Sequence, residues 1–464
     1  MSGAKRNSFG GWAATLIDSL DTLWIMGMRL HFRRAVEAVS AIDFGKTEEK
    51  TINVFETNIR HLGGLLAAYE LSGEETLLRK AMEVGEMLLR AFDTPNGMPI
   101  TRWDFHKAGK GAKQQADEGV LIAEIGSLSM EFSRLSQITG DSRWYDAVNR
   151  ITEVLDRQQD KTQLPGMWPL VVDARNMDFT KGSTFTIAAM ADSLYEYFAK
   201  TYALLGGLNP VYKKLYEASM ETVIQHTLFR PLTPSNADVL ISGVLTLDDP
   251  SPLKPELQHL VCFSGGMLAL GGKIFSQPSH VTIGAKMTEA CIWAYHAFPH
   301  RIMPEKSQLS PCQNISSCSW DEAKWKKDVA TMIDLTDDQD PSPNIFALRL
   351  PEGFTSIDDR RYILRPEAIE SIFVLYRITG EHRYQEVAWD MFTAIQAATE
   401  TEMANAALAD ITVIDPEPPK LDSMESFWMA ETLKYFYLIF SEPDVISLDD
   451  YVFNTEAHPF RIPK

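Results

Sequence analysis

Four short stretches place carboxylates where an apolar helix would reject them. In VFETNIRHLGGLLAAYEL, Glu56 and Arg60 stand one helical turn apart, on a column that continues to Gly63 and Ala67. Phe55, Ile59, Leu62 and Leu66 line the adjacent stripe. One reading of the pair is an exposed i, i+4 salt bridge; the other is a charged pair facing a cavity from a closely packed helix. AMADSLYEYFAK sets Asp192 and Glu196 at the same spacing. In YILRPEAIESIFVLYRITG, Pro366 suits the first helical position, so Glu367 falls in the first turn, where the helix dipole favours a carboxylate, with Glu370 three residues on. LDSMESFWMAETLKYFYLIF repeats the design, with Glu425 and Ser426 ahead of an aromatic helix. Each stretch alone is a good helix start. Together, carboxylates beside Phe, Trp and Tyr fit acetal hydrolysis: one carboxyl protonates the departing oxygen while another activates water or attacks carbon. No glycine loop ending in Lys-Ser or Lys-Thr is there to cradle a phosphate, and no nucleophile elbow is present.

The elements that must hold these groups are helices. LSGEETLLRKA, ITGDSRWYDAV, LGGLNPVYKKL and ITGEHRYQEVA each read as a helix closed by glycine, then a second helix opened by an acid or Asn. Gly73, Gly140 and Gly207 recur every 67 residues, room for two helices per unit and nearly seven units in 464 residues. Strand-like alternation is poor throughout. The expected fold class is therefore all-α, one domain over residues 1–464 forming a toroidal barrel of inner and outer helices. Gly380 lies 173 residues beyond Gly207, so an insertion of loops is expected at about 300–362. DLTDDQDPSP within it lacks the spacing of a calcium loop and reads as solvated.

With 44 basic and 63 acidic residues the formal charge is −19, which argues against nucleic acid or an anionic membrane surface as partner. No run of about 18 apolar residues is present to span a membrane. The start, MSGAKRNSFGGW, has no apolar signal core. The cysteines point to the secretory pathway all the same: PCQNISSC encloses the N-glycosylation sequon Asn314-Ile315-Ser316 and reads as a small loop closed by Cys312 and Cys318. Zinc is the weaker reading, for want of a tight cysteine pair with matching histidines. The last motif, DYVFNTEAHPF at 450–460, sets Asn454, Thr455, Glu456 and His458 between aromatics. It is either a hydrogen-bonded clasp or a metal or ligand site.

GWAATLIDSLDTLWIMGM, VFETNIRHLGGLLAAYELSG, ADSLYEYF, HLVCFSGGMLALGG, YILRPEAIESIFVLYRITG, MESFWMAETLKYFYLIF and YVFNTEAHPF resemble, in order and over residues 11–460, the blocks of class I α-1,2-mannosidases, glycoside hydrolase family 47. The resemblance implies an (αα)7 barrel and a calcium-dependent, inverting exo-mannosidase that trims α-1,2-linked mannose from high-mannose N-glycans. It implies Glu56, Asp192 and Glu367 as catalytic groups: Glu367 the base, the other two candidates for the acid side. It implies Thr455 as the direct calcium ligand, through carbonyl and hydroxyl oxygens, with Glu305, Glu367, Glu425 and Glu456 acting on calcium-bound waters. Arg60, Met190, Gln258, His259, Arg365, Glu425 and Phe427 fall at substrate-binding positions, and Cys262–Cys291 matches the family disulfide. Three departures stand out. Only about ten residues precede GWAATL, so the first helical unit is expected to be incomplete. Gln258 replaces the usual Asp, and Met190, where the family varies its branch-selecting residue, leans towards a Golgi-like or secreted fungal-type specificity. A monomer of the ER or Golgi lumen, or a secreted one, is expected, its signal or anchor absent from this sequence. A lectin-like member that binds glycans with little turnover is the alternative.

Overall fold

The computed structural model describes residues 2, 4, 6, 8–336, 339–415 and 417–463. The glycine-punctuated hairpins are present. Helix Gly63–Ser72 ends at Gly73 (φ 73°) before Glu75–Leu89, and Ser129–Thr139 ends at Gly140 (φ 74°) before Arg143–Gln158. Helix Asp192–Leu204 is followed by Gly206 and Gly207, both at positive φ, and then by Pro210–His226. Glu367–Thr379 ends at Gly380 before Arg383–Thr399. The left-handed φ costs glycine nothing, which is why these stops could be read from sequence.

The members of each hairpin differ in how they are buried. Gly63–Ala68 and Glu367–Leu375 are buried residue after residue, whereas Arg143–Gln158 buries one face of Trp144, Ala147, Val148, Ile151, Val154 and Leu155. A helix apolar all round is enclosed, while an amphipathic one covers it. One further hairpin, Phe263–Ile274 with Pro278–Ala297, turns at Ser276 (φ 56°) instead of at glycine and so left no turn signal. Its two backbones touch where Gly265 meets Gly284: a Cβ on Gly284 would fall 2.4 Å from the Gly265 carbonyl oxygen.

The chain forms two compact units. One is Gly3–Ser183, Met190–Glu221 and Ser426–Lys464; the other is Met1–Ser2, Thr184–Ala189 and Thr222–Glu425. In the first, helices Ala14–Asp18, Leu20–Ile25 and Arg29–Ser40 precede Val54–Glu56, which runs through a π-helical turn, Thr57–Leu62, into Gly63–Ser72. A second π-helical turn, Trp428–Thr432, opens helix Leu433–Ile439, and strands Tyr451–Phe453 and Pro459–Arg461 close the unit as a hairpin.

In the other unit an antiparallel sheet sets Glu256–Gln258 against Lys306–Leu309, and that strand against Phe354–Asp359. The 300–362 stretch is thus more than loops: it also holds helices Glu322–Met332 and Ser342–Leu348, the former anchored by buried Trp325, whose indole donates to the Phe354 carbonyl at 2.9 Å. DLTDDQDPSP includes Asp337 and Asp338, which lie outside the described residues. Both expected disulfides form, Cys262–Cys291 and Cys312–Cys318, with Cα atoms 5.9 and 5.8 Å apart.

Candidate active site

In the first unit the charged pair read from sequence is no solvent bridge. Arg60 is buried in the π-helical turn, and its Nε donates to Glu56 at 2.8 Å. Its Nη1 reaches Glu456 and the Ser426 hydroxyl, the latter at 3.0 Å. The Phe427 ring lies 5.9 Å from the guanidinium. One cation thus gathers carboxylates from distant parts of the chain, as a fork of fixed donors can. Asp192 begins its helix half-buried and accepts from the Ser193 N–H at 2.9 Å, so its charge sits on the favourable end of the dipole. Glu196, one turn on, is committed to buried Lys200.

The C-terminal hairpin is held from beneath. Asn454 Oδ1 accepts from the backbone of Glu456 (3.0 Å) and His458 (2.8 Å), while its Nδ2 donates to Glu131 at 2.7 Å. Glu131 also takes Asn58 Nδ2 at 2.7 Å and the Tyr197 hydroxyl at 2.6 Å. His458 bridges Asp21 (2.8 Å) and Asp18 (3.2 Å), and fully buried Lys434 donates to Asp21 at 2.8 Å. Gly63 and Gly64 make room: a Cβ on Gly63 would meet Asn454 at 2.7 Å, and one on Gly64 would meet the Ile17 carbonyl at 2.9 Å.

The electrostatics sort these acids. Burial would raise Asp18 and Asp21, but His458 with Arg60 pulls Asp18 down to about 2, and Lys434 with His458 holds Asp21 below its ordinary value. Burial also opposes charge on His458, yet the two aspartates raise it above an ordinary histidine. Glu456 goes the other way. Burial, with Asp18 and Glu56 adding, pushes it far up against the pull of Arg60. Glu131 is raised by burial despite its hydrogen bonds.

Thr455 sits half-buried at the tip of this hairpin. Its N–H lies 3.3 Å from the Tyr197 hydroxyl, while its own hydroxyl and carbonyl oxygens have no partner among the described residues. No three His, Cys, Asp or Glu side chains form a metal cluster among the described residues. A cation here would rest on the two neutral oxygens of Thr455 beside an excess of buried carboxylate, a donor set that suits a hard ion such as calcium.

In the second unit Glu367 is the first residue of its helix, with Pro366 one position before it. Leu364, at φ 72°, turns the chain into the helix, a strained conformation for a branched residue. Arg365 Nη1 lies 3.3 Å from Glu367 Oε1, and Arg365 Nε donates to Glu305, which also accepts from the Ile363 N–H at 3.2 Å. His259 Nδ1 is 2.7 Å from Glu367 Oε2, and its Nε2 is 2.6 Å from the Tyr295 hydroxyl. Burial would raise Glu367; Arg365 and His259 outweigh it and hold the carboxyl below its ordinary range. An ionised carboxylate only accepts, so His259 turns an N–H on Nδ1 towards Glu367.

The family model for glycosyl hydrolase family 47 matches residues 1–462. The chain belongs to that family. It is thereby a glycoside hydrolase. It is 32% identical to an Arabidopsis thaliana protein named mannosyl-oligosaccharide 1,2-alpha-mannosidase, over 98% of this chain and 72% of that protein. It is 34% identical to the human endoplasmic reticulum mannosyl-oligosaccharide 1,2-alpha-mannosidase, over 98% of this chain but only 60% of that one. The solved structure of alpha-1,2-mannosidase from Trichoderma reesei superposes with a TM-score of 0.86 at 29% identity, covering 100% of this chain and 93% of the other. The helical fold class expected from the sequence is thus the one this family has.

Each unit of this family 47 chain gathers its own share of the predicted site residues. Glu56, Arg60, Phe427 and Glu456 share the Arg60 network, with Thr455 adjoining it. His259, Glu305, Arg365 and Glu367 form the second network. Gln258 stands beside it, donating to Glu256 at 2.6 Å and accepting from the Ala189 N–H at 3.1 Å. A carboxylate in its place would face Glu256 with like charge. Met190, at φ 72°, is 53% exposed, and its carbonyl accepts from the Ala123 N–H at 3.0 Å. Glu425 is half-buried and 3.5 Å from Ser423, whereas Glu431, within the second π-helical turn, is buried and acts on Arg60 through its charge. Asp18, Asp21, Asn58, Glu131, Glu431 and Lys434 were not foreseen. The signal for the aspartates was there in LIDSLDTL, two acids three residues apart in an apolar stretch.

Proposed function

We propose that this protein is a calcium-dependent exo-glycosidase that removes terminal α-1,2-linked mannose from high-mannose N-glycans with inversion at the anomeric carbon, in the lumen of the secretory pathway or outside the cell. The observation that carries the reading is Glu367, a buried carboxylate kept ionised by Arg365 and His259 in a chain that belongs to family 47 from end to end. Glu367 takes a proton from the attacking water as that oxygen bonds to the anomeric carbon. Glu56, acting through a water, or Asp192 gives a proton to the departing glycosidic oxygen. Arg60, Phe427, Arg365, His259 and Gln258 orient sugar hydroxyls and the carboxylates themselves, with Met190 at the branch-selecting position. Bound calcium, held by the Thr455 oxygens with waters oriented by Glu305, Glu367, Glu425 and Glu456, would supply a hard Lewis acid for sugar hydroxyls and offset clustered negative charge.

The test is a defined high-mannose oligosaccharide with proton NMR of the first sugar released. β-Mannose as first product, lost on chelation and restored by calcium, is expected. α-Mannose first would remove inversion, activity indifferent to chelator would remove calcium, and binding without release would leave a lectin.

A further inference from the structure

We propose that Asn314 carries an N-linked oligosaccharide, which makes the Cys312–Cys318 loop a modification site of this protein. Asn314-Ile315-Ser316 is the only Asn-x-Ser/Thr triplet in the 464 residues. Its placement suits an acceptor. Gln313, Asn314, Ile315, Ser316 and Ser317 are all exposed, while the two ends of the loop are fixed. The Cys312 N–H donates to the Arg230 carbonyl at 2.8 Å, the Trp320 N–H to Asn236 Oδ1 at 2.6 Å, and the disulfide joins the base. At the tip, Asn314 Oδ1 accepts from the Ser316 N–H at 2.8 Å. That bond polarises the carboxamide and leaves Nδ2, the atom to be modified, without a partner among the described residues.

The donor class is an oligosaccharide on a polyprenyl diphosphate. The bond from Asn314 Nδ2 to the anomeric carbon forms as the bond from that carbon to the diphosphate oxygen breaks. The amide loses one proton, the lipid diphosphate leaves with the electron pair, and nothing is oxidised or reduced. The inference rests on the lumenal location proposed above, the compartment in which the loop disulfide also persists.

The full chain, directed into the secretory pathway of a eukaryotic host by an added signal, decides the matter by peptide mapping. The Asn314 peptide is expected to carry a glycan, and peptide N-glycosidase should convert Asn314 to Asp. Asn314→Gln and Ser316→Ala should each lose one oligosaccharide of mass, Ser316→Thr should keep it, and mannosidase activity should not change. A bare Asn314 in signal-directed protein with both disulfides formed overturns the acceptor site itself. A glycan there, but none on the chain isolated from its own cells, overturns the proposal through the location it rests on.

Discussion

Glu367 and Glu456 are both buried glutamates, yet they are pushed in opposite directions. The difference lies in their neighbours: Glu367 has a guanidinium and a histidine on its oxygens, while Glu456 shares Arg60 with Glu56 and Asp18. Keeping one carboxylate ionised is what a base needs. Glu367→Gln should lower kcat by about 10²–10⁴ while circular dichroism stays that of the wild type, since acid–base help is worth about that much. Near-normal turnover would remove Glu367 from the role. On the proposed calcium site, calcium is expected to raise the melting temperature of the wild type, and Thr455→Ala should abolish that rise at low calcium, while a large excess restores part of it by mass action. A variant whose melting temperature still follows low calcium would place the ion elsewhere. Glu56 and Arg60 could be read from the sequence because a charged pair beside an apolar stripe and two glycines is conspicuous, and Glu367 because Pro366 marks a helix start. Glu431 could not. Its i, i+4 neighbours look like any aromatic helix, and only the π-helical turn at Trp428–Thr432 gives it its setting.

Among elements, the C-terminal hairpin is tied to several others of its unit. Its buried ionic network joins Asp18 and Asp21 on the first helices, Lys434 on the last, and His458 within the hairpin. Lys434→Met should destabilise the fold by about 3–5 kcal/mol, the usual effect of leaving a buried charge short of its partner. Gly64→Ala should cost about 1–3 kcal/mol as overpacking, since the new methyl meets the Ile17 carbonyl at 2.9 Å and His458 at 3.2 Å. Denaturant midpoints measure both. His458 also sets a pH dependence. Its folded-state pKa is raised, so its stabilisation is complete below the unfolded value near 6.5 and lost as pH rises through the folded value. His458→Gln should therefore flatten the alkaline fall in melting temperature from about pH 6.5 upward. An unchanged slope would show that another group causes it. The glycine stops of the helices were legible because they are backbone requirements of single residues. The Ser276 turn was not, since a serine carries no signal for a left-handed φ and the turn is closed by a backbone bond from the Gln277 N–H to the Gly272 carbonyl at 2.7 Å.

For the molecule as a whole, Cys262–Cys291 closes a loop of 29 residues and Cys312–Cys318 one of six. The larger loop restricts the unfolded chain more. Replacing Cys262 and Cys291 by Ala should cost about 2–5 kcal/mol, and opening the smaller loop less. A larger loss from the small loop, measured by chemical denaturation, would overturn that order.

By itself the sequence determined the helical class, the repeating hairpins, the disulfide loop at 312–318 and the identity of most residues now found in two buried networks. These are local signals, or family blocks long enough to be unmistakable. Tertiary structure alone decided which acids share Arg60, that Asn454 and His458 fasten the Thr455 turn from below, and which buried glutamate is held ionised. The reason is physical. A carboxyl's charge state is set by whatever lies within a few ångströms of it, and here those neighbours come from positions as far apart as Asp18 and His458.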